Sequence, residues 1–217
     1  MQTHLEQDLE QVKLKIFEMV DLTIKSIENA IMALQKADLE LAKKVIKQDS
    51  LLDKLEVKID TECIKILVTK QPTAIHLRFV LAMLKINTDL ERIGDFATNI
   101  SKETIRMKGK KFIKPLVDIP RMAHISIEML KETFQAITDK KPPLARKVIK
   151  KDLEIDKLNI QIHRELFSYM AENNKHISQS LSLMMIAKSL ERIGDHITNI
   201  AERAIYYIEG VDIRHKK

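Results

Sequence analysis

The sequence predicts an all-α protein, a tandem duplication of two antiparallel three-helix bundles, and three observations carry that reading. Four Gly, five Pro, no Trp and 4% aromatic residues stand against abundant Leu, Ile, Lys and Glu in 217 residues, a composition of helices rather than sheets. All five prolines and two of the four glycines fall between segments whose apolar residues recur at helical spacing, where breakers belong. Finally, Leu90-Glu-Arg-Ile-Gly-Asp-Phe-Ala-Thr-Asn-Ile100 returns 100 residues later as Leu190-Glu-Arg-Ile-Gly-Asp-His-Ile-Thr-Asn-Ile200, with two changes. A repeat of that length marks a structural unit used twice.

Six helices follow in order, at about 4–36, 38–68, 73–107, 120–140, 143–172 and 177–208. Met19, Leu22, Ile24 and Ile27 mark the first. The second opens on Asp38, whose carboxylate suits an N-cap, and buries Leu41, Val45, Leu52, Leu55 and Ile59. Pro72-Thr73 opens the third. Its core seam, alternating steps of four and three, is Phe79, Met83, Ile86, Leu90, Ile93, Ala97, Ile100 and Thr104. The fourth repeats the first at an offset of 103, with Met122, Ile125, Ile127 and Leu130. In the fifth, Ala145-Arg-Lys-Val-Ile-Lys-Lys-Asp152 repeats Ala42-Lys-Lys-Val-Ile-Lys-Gln-Asp49, and Asp156-Lys-Leu158 repeats Asp53-Lys-Leu55. The sixth carries the second signature at an offset of 100, so the second half has the shorter turn before it. Short turns make neighbouring helices antiparallel. Residues 1–108 form the first bundle, 109–118 a linker holding Gly109 and Pro115, and 119–217 the second bundle.

The formal charge is +6, with cations scattered among acids and no interleaved aromatics, which reads as a solvated surface rather than a nucleic-acid face. Lys108-Gly-Lys-Lys111 reads as linker and Arg214-His-Lys-Lys217 as a frayed end. No apolar run approaches the roughly 20 residues of a membrane span, and the polar start MQTHLEQDLEQVK is unlike a secretory signal. Cys63 has no intrachain partner and lies in an apolar stretch, so a reduced core thiol is expected. These features predict a cytoplasmic protein.

Chemistry enters through the acids. On the third helix Glu91, Asp95 and Asn99 lie one turn apart, away from the core seam. On the second, Asp49, Asp53, Glu56 and Asp60 run beside the core. Residues equidistant from a turn lie level in an antiparallel pair, and with the turn centred on Pro72, Asp53 falls level with Glu91 and Asp49 with Asp95. In the second half the turn centres between Asn173 and Asn174, placing Asp156 level with Glu191 and Asp152 with Asp195. Each half thus stacks four carboxylates on two adjacent helices. Carboxylates so gathered bind cations, pair with bases or take up protons. Oxygen-only ligands select hard ions, Mg²⁺, Mn²⁺, Ca²⁺ or iron, with Asn99 and Asn199 as auxiliary oxygens. The competing reading is a salt-bridge lattice using Arg92, Lys54, Arg192 and Lys157; register and duplication favour metal.

Gly94 and Gly194 sit inside helices at a cost of about 1 kcal/mol each relative to Ala, which a close approach by a neighbour would explain. Leu77, Leu81 and Leu84 read first as packing between the bundles and second as a partner-docking groove, Met184 and Met185 as core filling, and His196 as incidental rather than a ligand.

The paired (D/E)-x-x-x-D motifs, the doubled E-R-I-G-D-x-x-x-N-I signature and the tandem bundles closely resemble the PhoU family over nearly the whole chain. The resemblance implies a cytoplasmic, non-enzymatic regulator of phosphate uptake and phosphate-starvation signalling, commonly a homodimer. It further implies action with the ATPase subunit of a phosphate ABC transporter and with a phosphate-sensing histidine kinase, reaching the membrane only through such partners. Multinuclear metal clusters held by these motifs are also implied, at Asp49, Asp53, Glu91 and Asp95 and at Asp152, Asp156, Glu191 and Asp195, with Asn99 and Asn199 assisting. The halves differ: Glu56 and Asp60 become Asn159 and His163, Thr88 becomes Lys188 and Glu103 becomes Arg203, so the second site should hold a hard cation less tightly. Two alternatives stand beside this reading. One is a helical adaptor or accessory of another phosphate transporter, its acids only surface charge. The other is a carboxylate-bridged di-iron enzyme, which the missing inward Glu-x-x-His pairs disfavour.

Overall fold

The computed structural model describes residues 4–213; the Arg214–Lys217 end lies outside them. Six helices follow in chain order: α1 (His4–Lys36), α2 (Leu39–Lys70), α3 (Ala74–Arg106), α4 (Asp118–Asp139), α5 (Pro142–Glu172) and α6 (Ile177–Glu209), the last preceded by a 3₁₀ turn at Asn174–His176. No strand occurs among the described residues, and no helix is long and apolar enough to cross a membrane. Boundaries fall within about two residues of the expected ones. The carboxylate of Asp38 accepts the Leu41 amide at 2.9 Å, closing the start of α2. α4 begins two residues early, at Asp118, because Pro120 fits the first turn, where its missing N–H is not needed. α5 likewise opens on Pro142 and Pro143.

α1, α2 and α3 pack on one another, as do α4, α5 and α6, and the two bundles join chiefly through α3 against α6. Each bundle closes over its own seam. Phe79, Met83, Ile86, Leu90, Ile93, Ala97, Ile100 and Thr104 are all buried on α3, against Val45, Leu52, Leu55 and Ile59 of α2; Leu41 is half-buried. Cys63 is buried and free, and burial, then the charges of Asp60 and Glu62, push its thiol up to about 12. Lys15–Glu62 at 2.8 Å ties α1 to α2, and Arg121–Glu154 at 2.6 Å ties α4 to α5.

Between the bundles, α3 and α6 run antiparallel. Phe79 meets Tyr207 with ring centroids 5.4 Å apart, and Phe96 meets His196 at 5.7 Å. Phe96 and His196 occupy the same position of the two repeats, so the bundles are related by an approximate two-fold axis at that contact. Phe17 and Phe134, 5.6 Å apart, join α1 to α4. The segment between α3 and α4 is pinned to α6: the Ile113 amide donates to Gln179 Oε1 at 2.7 Å, and Gln179 Nε2 donates to Lys111 O at 3.2 Å.

Three packing expectations need correction. Leu84 packs against the core, but Leu77 and Leu81 stay 38% exposed, because each stands two residues from Phe79, about 160° round the helix from the side chain that meets α6. Met184 packs whereas Met185 is 56% exposed, since adjacent helical residues point about 100° apart. His196 is not incidental: its Nδ1 lies 2.8 Å from Asp89 Oδ1 on α3, and Asn199 Nδ2 donates to the same oxygen at 3.5 Å.

Candidate metal centre

Two features of local sequence assemble the first carboxylate cluster. The α2 acids recur at steps of three and four beside the buried seam, and those of α3 are one turn apart, so the α2–α3 hairpin brings them level. Their mutual fields show how close they lie. Burial, then the charges of Asp53 and Asp95, raise the Asp49 carboxyl, against the Thr98 hydroxyl and Lys102, which lower it. Glu91 is pushed up to about 7 by burial first, then by Asp95, with Arg92 opposing and Glu56 and Asp53 adding. Glu56 is raised by burial, then Asp60. Arg92 sits on the rim, 3.1 Å from Asp95 Oδ2 and 3.5 Å from Glu91 Oε2.

The second cluster repeats this on α5 and α6. Asp152 is pushed up to about 7 by burial, then by Asp156, Asp195 and Glu191; Asp156 is raised by burial, then by Glu191 and Asp195. Arg192 takes the place of Arg92, 3.0 Å from Asp195 and 3.7 Å from Glu191. The extra cation is Lys188, whose Nζ lies 2.6 Å from Glu191 Oε2. Asp152 Oδ1 is buried and receives no hydrogen bond from the protein.

The two helical glycines set the spacing. A methyl group at Gly94 would overlap Leu52 Cδ1 and lie 3.4 Å from Asp49 Oδ1; at Gly194 it would overlap Asp152 Oδ1 and come within 3.1 Å of Ile155 Cδ1. Gly194 therefore lets α5 bring Asp152 against α6, whereas Gly94 makes room for Leu52 of α2 with Asp49 in ordinary contact; both are the close approach expected from the sequence.

A family model for the PhoU domain matches this chain twice, at residues 16–104 and 119–204. The chain belongs to the PhoU family. It is 39% identical over 210 residues to the phosphate-specific transport system accessory protein PhoU homolog of Aquifex aeolicus, covering 97% of this chain and 95% of the relative. To the accessory protein PhoU of Escherichia coli (strain K12) it is 33% identical over 208 residues, 96% of this chain and 86% of the relative. The crystal structure of PhoU from Pseudomonas aeruginosa superposes with a TM-score of 0.92 at 33% identity, over 96% of this chain and all of that one. That of the phosphate transport system regulatory protein PhoU from Streptococcus pneumoniae gives 0.89 at 25% identity, over 97% and 99%. The six-helix duplicated architecture is that of the PhoU family.

The eight carboxylates named from sequence are thus gathered as two groups of four, Asp49, Asp53, Glu91 and Asp95, then Asp152, Asp156, Glu191 and Asp195. The two asparagines are not placed alike. Asn99 is exposed, and Asn199 reaches to Asp89 across the bundle interface. Of the four expected basic partners, Arg92 and Arg192 engage the clusters; among the described residues neither Lys54 nor Lys157 pairs with a cluster acid within 4.0 Å. No three His, Cys, Asp or Glu side chains among the described residues stand, as placed, close enough together to hold one metal ion. The donor chemistry nonetheless suits a hard ion: the candidate donors are all oxygens, burial and neighbouring acids raise the Glu91 and Asp152 carboxyls, and one buried Asp152 oxygen lacks a hydrogen bond.

Sequence reasoning missed Asn87. Its amide donates to Asp60 Oδ1 and to the Glu56 carbonyl, each at 2.9 Å, holding the outer end of the first cluster. The signal was present: the repeat places Ala187 there, beside the other changes at Asn159 and His163.

Proposed function

We propose that the chain is a non-enzymatic accessory and regulator of a phosphate-specific transport system. It acts in the cytoplasm on the ATPase subunit of a phosphate ABC transporter and on a phosphate-sensing histidine kinase, and it assembles as a homodimer. The observation that supports this best is the family match across both halves, with relatives of nearly equal length named as accessory proteins of that system. The test is complementation. In a phosphate-replete bacterium lacking its own PhoU, this chain should silence a phosphate-starvation reporter. A reporter that stays on despite soluble, helical protein would sink the reading, and sedimentation of the purified chain as a monomer would remove the homodimer.

The two carboxylate clusters are, in this proposal, metal sites of unequal strength, taking Mg²⁺, Mn²⁺, Ca²⁺ or iron ions, singly or as multinuclear clusters. Supporting it are the level pairing of the acids, the raised Glu91 and Asp152 carboxyls and the uncompensated Asp152 oxygen. Lys188 neutralises part of the second cluster, so the first should bind more tightly. Titrating Mn²⁺ into two variants, each with one cluster's four carboxylates changed to amides, measures the sites separately; equal affinities would refute the ranking.

A further inference from the structure

The outer face of α5 carries a feature that neither the carboxylate clusters nor the bundle contacts use. Lys150, Leu153, Lys157, Ile160, Arg164 and Phe167 alternate at steps of three and four and are all exposed. Leu153, Ile160 and Phe167 are 60%, 51% and 60% accessible. Three apolar side chains thus stand seven residues apart, with three cations between them, in a single line about 26 Å long at 1.5 Å per residue. No acid lies on the line. The acids beside it are engaged: Glu154 with Arg121, Glu165 with Lys114, and Asp156 in the cluster with Glu191 and Asp195. Among the described residues no carboxylate lies within 4.0 Å of the Lys150, Lys157 or Arg164 cation. The repeat offers only a broken version on α2, where Lys47, Lys54, Val57 and Ile64 are kept but Ser50 and Thr61 interrupt.

We propose that the α5 seam docks an acidic amphipathic helix of a partner protein, apolar side chains meeting Leu153, Ile160 and Phe167 and carboxylates meeting Lys150, Lys157 and Arg164. Charge complementarity selects this occupant. A second copy presents the same seam, so self-pairing sets cations against cations without a carboxylate to offset them. A lipid surface calls for a broad apolar face; a stripe one side chain wide on a period of 3.5 is the geometry of helix pairing.

This surface adds to the accessory-protein reading and rests on it only for the existence of a partner. Its test therefore uses defined probes, whereas failure of that reading would appear in the reporter strain. The full chain is titrated against a labelled synthetic helix of about four heptads, carrying Leu at one seam position and Glu at the other. A twin with Lys in place of Glu, and vesicles of phosphatidylglycerol and phosphatidylcholine, serve as competitors. The chain should bind the Glu helix at least about tenfold more tightly than the Lys twin. The variant Lys150→Glu, Lys157→Glu, Arg164→Glu should reverse that preference with an unchanged helical spectrum. Leu153→Ala, Ile160→Ala, Phe167→Ala should weaken both helices while keeping the preference. Absence of binding, equal affinity for the twins, stronger binding to vesicles than to the Glu helix, or a changed oligomeric state in the charge-reversed variant would each overturn the assignment.

Discussion

Replacing Gly194 by Ala separates the role of close approach from that of helix propensity. Inside a helix, Gly→Ala alone stabilises by about 1 kcal/mol. At Gly194 the new methyl overlaps Asp152 Oδ1 and crowds Ile155 Cδ1 at 3.1 Å, and overpacking of this kind costs about 1–3 kcal/mol. The obstructing atom is a buried carboxylate oxygen without a hydrogen bond, and moving it shifts an acid already set among Asp156, Asp195 and Glu191. The balance is a net loss of about 1 kcal/mol, or a melting temperature lower by roughly 2–4 °C for a chain of this length. The Gly94→Ala variant supplies the control. Its clash is with Cδ1 of Leu52, an apolar side chain buried in the α2 seam, and Asp49 Oδ1 stays at 3.4 Å, so no acid is displaced and cost and gain should cancel to within about 1 kcal/mol. Thermal unfolding followed by circular dichroism measures both. Mn²⁺ titration should show Gly194→Ala weakening the second site by about tenfold or more, because a displacement of one ligand by an ångström disrupts coordination, with the first site changed far less in Gly94→Ala. A Gly194→Ala protein that melts higher than the parent and keeps its second-site affinity would refute the role assigned to these glycines.

Stability of the metal-free protein should fall as pH rises. Folding raises the Glu91 and Asp152 carboxyls to about 7, so the folded state prefers them protonated. That contribution is complete below their ordinary values near 4 and is lost as pH approaches 7, then stays flat. Urea unfolding with chelator present should give a protein less stable at about pH 8 than at about pH 5, by on the order of 1–2 kcal/mol after allowance for partial exposure; equal stability would contradict it. Lys188→Thr, which copies Thr88, removes the cation 2.6 Å from Glu191 and should raise second-site Mn²⁺ affinity about 3–10-fold by calorimetry; unchanged affinity would exclude competition by Lys188. Asn87→Ala strips the hydrogen bonds to Asp60 and the Glu56 carbonyl and should cost about 1–3 kcal/mol in urea unfolding. A loss below about half a kcal/mol would show that water replaces the amide.

What could be read from the chain alone was the interior of each half. Spacing on α2 and α3 identifies the buried seam because burial follows the helical period. The turn at Pro72 then fixes register, since an antiparallel hairpin with a short connection has only one level alignment that keeps both seams inward. That is why Asp49 and Asp53 could be placed beside Asp95 and Glu91 without coordinates. The contact between halves obeys no such rule. α3 meets α6 through Phe79, Phe96, Asp89 and their partners, a surface set by complementarity between segments about 100 residues apart. Nothing in the periodicity of α3 separates a leucine turned to α6 from one left in water, so Leu77 and Leu81 were misplaced and the tie between Asp89 and His196 went unseen.

The duplication gives the two clusters the same backbone and thereby isolates chemistry as the variable. Each has a helical glycine against the facing helix, an arginine on the rim and four acids paired at two levels one turn apart. The differences lie in a few side chains around them. In the first half Glu56 and Asp60 extend the acidic field, with Asn87 holding them, and the carboxyl that resists ionisation is Glu91. In the second, neutral Asn159 and His163 stand at those positions, Lys188 meets Glu191, and the resisting carboxyl is the more deeply set Asp152. On the metal-site reading proposed above, a cation arriving at the first cluster would meet more charge and compete with a proton on the half-buried Glu91. At the second it would compete with an ammonium group as well, and with a proton on the half-buried Asp152. Affinity should therefore rise with pH at both sites, through the range near 7 where these carboxyls ionise, but added salt should narrow the gap between them by screening the more accessible Lys188 more than the Asp152 oxygen set against α6. A gap unaltered by salt would place the difference in ligand geometry instead, and so in the glycine-gated spacing rather than in the surrounding charge.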